Sequence, residues 1–497
     1  NLLHAFTCRD GAVAFKEAME TTLARLGSVE MMMPKGIARD AAETFRTAAG
    51  HILIHRDGPA LQPGPRRYTR AWIRDGVIMG AALHRIGEKE ALRKFLEWYA
   101  PFQRDDGFVP CCVDGSGPDW LVEHDSHGQL IFGVRESFRF TQDRRFLTAM
   151  WPSVRLAALY ISRLRAERMT AEFTALEKRD RHGLLPESAS HEGYLAHPVH
   201  SYWDDCWALR GLKDAAALAG ELGLEDDAHT FTTEATSLRV ALIDSMRAVI
   251  AKHGLAYVPG SVEWADFDPA ATANAVTLLQ LMNDLPSKEL GLMFEHFVRD
   301  FRKKHSAEME WTNYTAYEIR IIGALVRLGK RREALELLAF FLGDRRPLAW
   351  NQWPEISWKD PRSPGHLGDL PHTWIAAEWM LVFAGLFAYE DEADDALVLG
   401  AGVDEDWLRG EGVAIKHLPT WFGALDVSMR REPSGALYVE IAGDVKKPGG
   451  GFVLRPPGES PIAAVEVNGE VSQAFTDGEV YINDCPASVI VVQKQHS

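Results

Sequence analysis

Residues 75–99 read Asp-Gly-Val-Ile-Met-Gly-Ala-Ala-Leu-His-Arg-Ile-Gly-Glu-Lys-Glu-Ala-Leu-Arg-Lys-Phe-Leu-Glu-Trp-Tyr. Apolar side chains recur at three- and four-residue spacing, first at Val77, Ile78, Ala81, Ala82 and Ile86, then at Leu92, Phe95, Leu96 and Tyr99. That period places one face of a helix against a core, and its repetition predicts a helical pair. The same pattern runs from about residue 35 to 390. Ser153, after Trp151-Pro152, reads as the start of a helix carrying Val154, Ala157, Ala158, Ile161 and Leu164. Ile319–Leu328 and Ala334–Leu342 form another pair, joined by Gly329-Lys330.

The connections on one side of these pairs are short. Those on the other side are long and rich in Gly, Pro, Trp, His and acids: Arg104–Gln129, Arg181–Asp205, Val258–Asp268 and Pro347–His372. Long loops on a rigid scaffold are where function concentrates. After about residue 395 the helical period stops. Short β-branched runs take over at Leu425–Met429, Leu437–Ile441, Phe452–Leu454, Ala464–Val467 and Val489–Val492, with turns such as Asn468-Gly469 between them. Two domains are expected, a helical one at 1–395 and a β-sandwich at 396–497.

The bulk properties narrow the function. A formal net charge of −16 over 497 residues repels phosphate backbones and excludes nucleic acid as a natural partner. No run of 18 apolar residues predicts a membrane span. The five cysteines, Cys8, Cys111, Cys112, Cys206 and Cys485, are odd in number and scattered, so neither a disulfide framework nor a metal site is signalled, and no cofactor is expected. A chain beginning at Asn1 reads as processed or truncated, which leaves a periplasmic or secreted location and a cytoplasmic one both open. The 15 tryptophans supply flat apolar faces suited to sugar rings.

Five segments concentrate aromatic and charged residues. Tyr68–Gly76 contains Trp72, Arg74 and Asp75, a pairing that can hold a neutral polyol by charge-assisted hydrogen bonds. Asp119–Gln129 contains Glu123, Asp125 and His127. Ser201–Trp207 sets Asp204 and Asp205 between Trp203 and Trp207, where an apolar wall and a like charge both raise a carboxyl pKa, as a general acid requires. Val262–Asp268 and Glu308–Tyr314 are weaker and read equally well as structural loops. Asn351–Trp358 holds Glu355 between Trp353 and Trp358, followed by His366 and His372. Each carboxylate has a plainer reading as a helix cap or a loop anchor.

These segments resemble the six-hairpin glycosidases, in particular glucoamylase-like glycoside hydrolases. Their first motif is similar to Tyr68–Asp75, their Trp-Glu-Glu motif to Trp203-Asp204-Asp205, and their late loop glutamate to Glu355. Gly368–Trp374 fits the same pattern. A β domain that follows the helices looks more like rhamnosidase-type relatives. The resemblance implies a mainly α fold, an (α/α)6 toroid with a C-terminal antiparallel β-sandwich, and an inverting, exo-acting hydrolase of oligo- or polysaccharides. In it Asp204 (or Asp205, with Glu123 as the substitute) is the general acid and Glu355 the base, about 6.5–9.5 Å apart. Tyr68, Trp72, Arg74, Asp75, Glu123, Asp125, His127, Trp203, Trp353 and His372 are the expected substrate contacts. Two alternatives stand beside it: a polysaccharide lyase using Asn313, Tyr314 and His200, and a non-catalytic carbohydrate-binding protein.

Overall fold

The computed structural model describes residues 29–494, together with Val13, Lys16, Glu17, Glu20, Leu26 and Gly27. The helices of residues 29–494 are α1 Ile37–Ile54, α2 Ile73–His84, α3 Glu90–Tyr99, α4 Asp125–Thr141, α5 Arg144–Ala166, α6 Tyr202–Leu222, α7 Glu225–His253, α8 Pro269–Val276, α9 Ser287–His305, α10 Arg320–Arg327, α11 Arg331–Gly343 and α12 Thr373–Phe387. Two kinds alternate. Every residue of α2 is buried, as is nearly all of α12. A helix apolar on all sides belongs in the middle of a structure. The odd-numbered helices are one-sided: α9 buries Leu290, Met293, Phe294, Phe297, Val298 and Phe301 and leaves the rest to water.

The even-numbered helices touch in a closed circuit. α2 packs on α4, α4 on α6, α6 on α8, α8 on α10, α10 on α12, and α12 returns to α2. The odd-numbered helices lie against them from outside, so the helical part is a toroid. At the α4–α6 crossing the backbones come unusually close. A Cβ on Gly128 would stand 2.0 Å from the Trp207 carbonyl oxygen, and one on Gly211 would stand 2.7 Å from Gly128 Cα.

One helix differs from the sequence expectation. α5 begins at Arg144, where the Asp143 carboxylate accepts hydrogen bonds from the Arg145 and Phe146 N–H groups, and it runs through Pro152. Proline costs an interior hydrogen bond. Here Phe146, Leu147 and Met150 extend the same buried face ahead of it, and their burial carries the helix across.

The strands before the last helix are short: β1 Glu30–Met32, β2 Ala71–Trp72, β3 Cys112–Asp114, β4 Gly117–Asp119, β5 Asn313–Thr315 and β6 Ile356–Trp358. After α12 come β7 Ala388–Asp391, β8 Ala396–Leu399, β9 Val413–Thr420, β10 Gly423–Arg431, β11 Leu437–Val445, β12 Phe452–Leu454, β13 Ile462–Val467, β14 Glu470–Ser472, β15 Val480–Ile482 and β16 Ala487–Gln493. They form a seven-stranded sheet, β1-β9-β10-β11-β16-β13-β14, and a four-stranded one, β15-β12-β8-β7. Asn468 and Gly469, both at positive φ, make the two-residue turn between β13 and β14. The β part departs from an all-antiparallel expectation at one place, since β8 and β12 pair in parallel. It also recruits β1 from the other end of the chain, and its first strand follows directly on Phe387.

The hairpin β7–β8 ties the two parts together. Arg85 of the α2 end grips Glu390 with two 2.8 Å bonds. Glu392 accepts from Arg139 of α4 and Arg210 of α6, whose charges hold its carboxyl well below the ordinary range despite burial. Trp421 at the β9–β10 turn lies under the Arg139 guanidinium, 3.8 Å from ring to Cζ.

Candidate active site

At one end of the toroid a cavity of about 330 Å³ opens among the loops that precede the inner helices. Each inner helix except α4 sends residues to its wall. Tyr68, Trp72, Arg74 and Asp75 come from the start of α2. His191, Glu192 and Trp203 come from the approach to α6. Asp268 caps α8, Tyr317 and Arg320 lead into α10, and Glu355, His372 and Trp374 lie at and before α12. Of the residues singled out in the sequence, Tyr68, Trp72, Arg74, Asp75, Trp203, Glu355 and His372 line the cavity.

The other residues singled out form a layer behind the wall. Asp125 Oδ2 accepts from Arg74 Nη1 (3.2 Å), Gln129 Nε2 (2.8 Å) and Trp203 Nε1 (2.8 Å). Glu123 accepts from Arg74 Nη1 (3.0 Å) and from the Glu192 N–H (2.8 Å). Asp204 accepts from the Ser188 and Ser190 hydroxyls, and Asp205 from the Leu185 N–H at 2.9 Å. His127 takes the Val109 N–H, and Trp353 is packed on Trp379 with its Nε1 donating to the Phe341 carbonyl. Asp204, Asp205, Glu123, Asp125, His127 and Trp353 are all buried and absent from the cavity lining.

Glu355 is held from two sides. Tyr68 donates to Oε2 at 2.5 Å and Tyr317 to Oε1 at 3.2 Å, while His366 and His372 each stand 3.8 Å from Oε2. Burial and that hydrogen bond push the Tyr68 hydroxyl up, so Tyr68 stays a donor. Gly368, at φ +72°, passes so close that a Cβ there would stand 2.8 Å from Glu355 Oε2.

The wall carboxyls are unequal. Burial pushes Asp75 up to about 8 against the pull of Arg74, with the charges of Glu355 and Glu192 adding to the rise. Its Oδ2 has no hydrogen-bond partner. Burial also raises Asp268, against the opposing Ala271 N–H. Arg320 stacks among Trp203, Tyr317 and Trp374 and pairs with Glu378 at 2.7 Å, leaving Nη2 unpartnered. A cavity of acids, orphaned donors and ring faces suits a polyhydroxylated ring.

Two other clusters bear on the alternatives. Cys111 Sγ, Cys112 Sγ and an Asp119 oxygen lie within 4.8 Å of one another, a grouping not legible from their spacing. Arg70 Nη1 already sits on Cys112 Sγ (3.4 Å) and Asp119 (3.3 Å), and a guanidinium there opposes a cation. The lyase set is dispersed. His200 is tied to Glu263, Tyr314 to Asp344, and neither they nor Asn313 reach the cavity.

Sequence reasoning missed His191, Glu192, Asp268 as a wall residue, Tyr317 and Arg320. The last two sit beside an apolar run read as core. His191-Glu192-Gly193-Tyr194 did carry a signal, being an acid among aromatics inside a loop already marked as long.

No family model matches the chain. An uncharacterized glycosyl hydrolase of Methanocaldococcus jannaschii is 29% identical over 123 residues, 24% of this chain and 19% of that protein. Among solved structures, an alpha-L-rhamnosidase of Dictyoglumus thermophilum superposes with a TM-score of 0.63 at 10% identity, over 94% of this chain and 50% of that one. A GH78 rhamnosidase of Bacillus sp. GL1 gives 0.61 at 14% identity, over 85% and 43%. The Streptomyces avermitilis alpha-L-rhamnosidase complexed with L-rhamnose gives 0.59 at 14%, over 94% and 42%. The chain thus spans half or less of the length of these relatives, and at such identity the likeness is one of fold. Among the described residues no helix is long and apolar enough to cross a membrane.

Proposed function

We propose that this chain is a glycoside hydrolase, built as an (α/α)6 six-hairpin toroid with a covering β-sandwich, that removes a terminal sugar with inversion. One observation carries the reading. A cavity brings Asp75, Glu192, Asp268 and Glu355 together with Tyr68, Trp72, Trp203 and Trp374. Its volume lies at the small end of ligand pockets, about 300–1,000 Å³, which favours the end of a chain over a stretch bound along a groove. Hydrolysis with inversion needs a carboxylate to activate water and a protonated carboxyl to release the leaving oxygen. Glu355, oriented by Tyr68 and Tyr317, is suited to the first task. The fold shared with rhamnosidases makes α-L-rhamnosides the first substrates to try. Residues 1–395 would carry the chemistry, and 396–497 would close the lower end of the toroid.

The test is a screen of aryl glycosides and oligosaccharides with the whole chain, reading the first-formed anomer by NMR. Glu355→Gln should lower turnover by about two to four orders of magnitude, the usual contribution of a general base, with unchanged circular dichroism. Near-normal turnover by that variant, or a product that retains its configuration, overturns the assignment. An unsaturated uronate absorbing in the ultraviolet would install the lyase reading instead.

A further inference from the structure

Glu355 belongs to the loop before α12. In the circuit α2-α4-α6-α8-α10-α12 the helix three places away, directly across the cavity, is α6. A proton donor on the far side of a sugar from Glu355 must therefore come from the approach to α6. Four carboxylates are there. Glu187 is paired with Arg168 outside the cavity lining, and Asp204 and Asp205 are buried and engaged with Ser188, Ser190 and Leu185. Glu192 alone reaches the wall.

The segment carrying Glu192 is held with unusual force. Ser190, His191 and Glu192 lie at φ 34°, 31° and 61°, three successive non-glycine residues in the left-handed region. Such conformations cost free energy and persist where the surroundings over-determine them, commonly at functional sites. The surroundings here are specific. Asp204 grips Ser188 and Ser190, Glu123 takes the Glu192 N–H, Trp72 Nε1 donates to Glu192 Oε1 at 2.8 Å, and His191 lies against Trp203 with 5.3 Å between ring centroids.

Resting on the hydrolase reading, we infer that Glu192 is the proton donor of this site and Asp204 the positioning residue that presents it. The Glu192 carboxyl proton passes to the glycosidic oxygen as the C1–O bond breaks and the leaving group departs as an alcohol. Glu355 takes a proton from the water whose oxygen forms the new C1–O bond. The surplus proton on Glu355 and the vacancy on Glu192 are then exchanged with solvent.

Leaving-group dependence tests this. With an alkyl glycoside, whose leaving oxygen needs a proton, Glu192→Gln should lose about 10²- to 10⁴-fold in kcat. With the glycosyl fluoride of the same sugar it should stay within about tenfold of wild type. Ser188→Ala with Ser190→Ala, which keeps every carboxylate and removes only the two hydroxyls that Asp204 grips, should move the leaving-group dependence the same way more weakly. Equal losses on both substrates overturn the inference, as does a leaving-group effect confined to Asp204→Asn or Asp268→Asn. A wild-type chain that cleaves no glycoside fails the hydrolase reading, and this one with it. An active wild type matched by Glu192→Gln on both substrates fails this inference alone.

Discussion

Tyr68 shows how much one side chain does here. Its hydroxyl fixes Glu355 at 2.5 Å, its ring meets Trp72 edge-on at 5.7 Å, and its backbone N–H is taken by Asp369. Tyr68→Phe keeps the ring and removes the donor to Glu355. A hydrogen bond to a charged group is worth about 1.5–3 kcal/mol, so kcat should fall by about 10- to 150-fold. KM and melting temperature should change little, which steady-state kinetics and calorimetry would register. A residue's neighbourhood was only partly legible in the sequence. Tyr68, Trp72, Arg74, Asp75 and Glu355 declared themselves by type and company. Glu123, Asp125 and Asp204 declared themselves equally, yet they serve as the layer behind the wall. A carboxylate that touches substrate and one that anchors a loop can have the same flanking residues, and only the direction of the side chain separates them.

At the scale of elements, the helical pair of residues 75–99 is a direct expression of sequence period, which marked one apolar face on each helix; the burial of α2 on every side, Arg74 and Asp75 included, was not legible there. What period cannot supply is the depth of each crossing. α4 and α6 approach so closely at Gly128 and Gly211 that neither tolerates a methyl group. Gly128→Ala must push the helices apart, at about 1–3 kcal/mol, the usual range for overpacking. The same displacement moves Asp125 away from Trp203 Nε1. Thermal melting should therefore fall and KM rise together, whereas Gly220→Ala on an open face of α6 should change neither. The start of α5 teaches a similar lesson. Trp151-Pro152-Ser153 carries a local start signal, but the Asp143 cap and the buried face ahead of the proline outweigh it.

Across the whole molecule, buried titratable groups set how stability depends on pH. His84 is pushed down to about 3, and His51, His124 and His191 to about 4, each chiefly by burial. They stay neutral in the fold while the unfolded chain protonates below about 6.5, so this contribution to stability is lost as pH falls from there toward 4. Asp75 acts in the opposite sense. Folded, it keeps a proton up to about 8 that the unfolded chain has released near 3.9, so its contribution is lost as pH rises through that window. Between pH 6.5 and 8 the histidines are silent and the raised carboxyls dominate. The melting temperature should fall across that interval, and Asp75→Asn should flatten the fall by up to about 1.4 kcal/mol per pH unit. An Asp75→Asn chain as steep as wild type would remove Asp75 from the account.

The circuit of inner helices closes only when α12 meets α2, and Asp369 accepts the N–H groups of Arg66 and Tyr68 from about 300 positions later in the chain. That has a consequence for biosynthesis. At about 5–20 residues per second, the 287 residues between Tyr68 and Glu355 take about 15–60 s to be translated. For that time the early inner helices, which the finished fold buries on nearly every side, have one flank unpaired. A partly made chain holds every wall residue from Tyr68 to Arg320 and still lacks Glu355, the proposed water-activating group. The cavity is completed late and all at once, and the nascent chain carries unpaired apolar helix faces long before that.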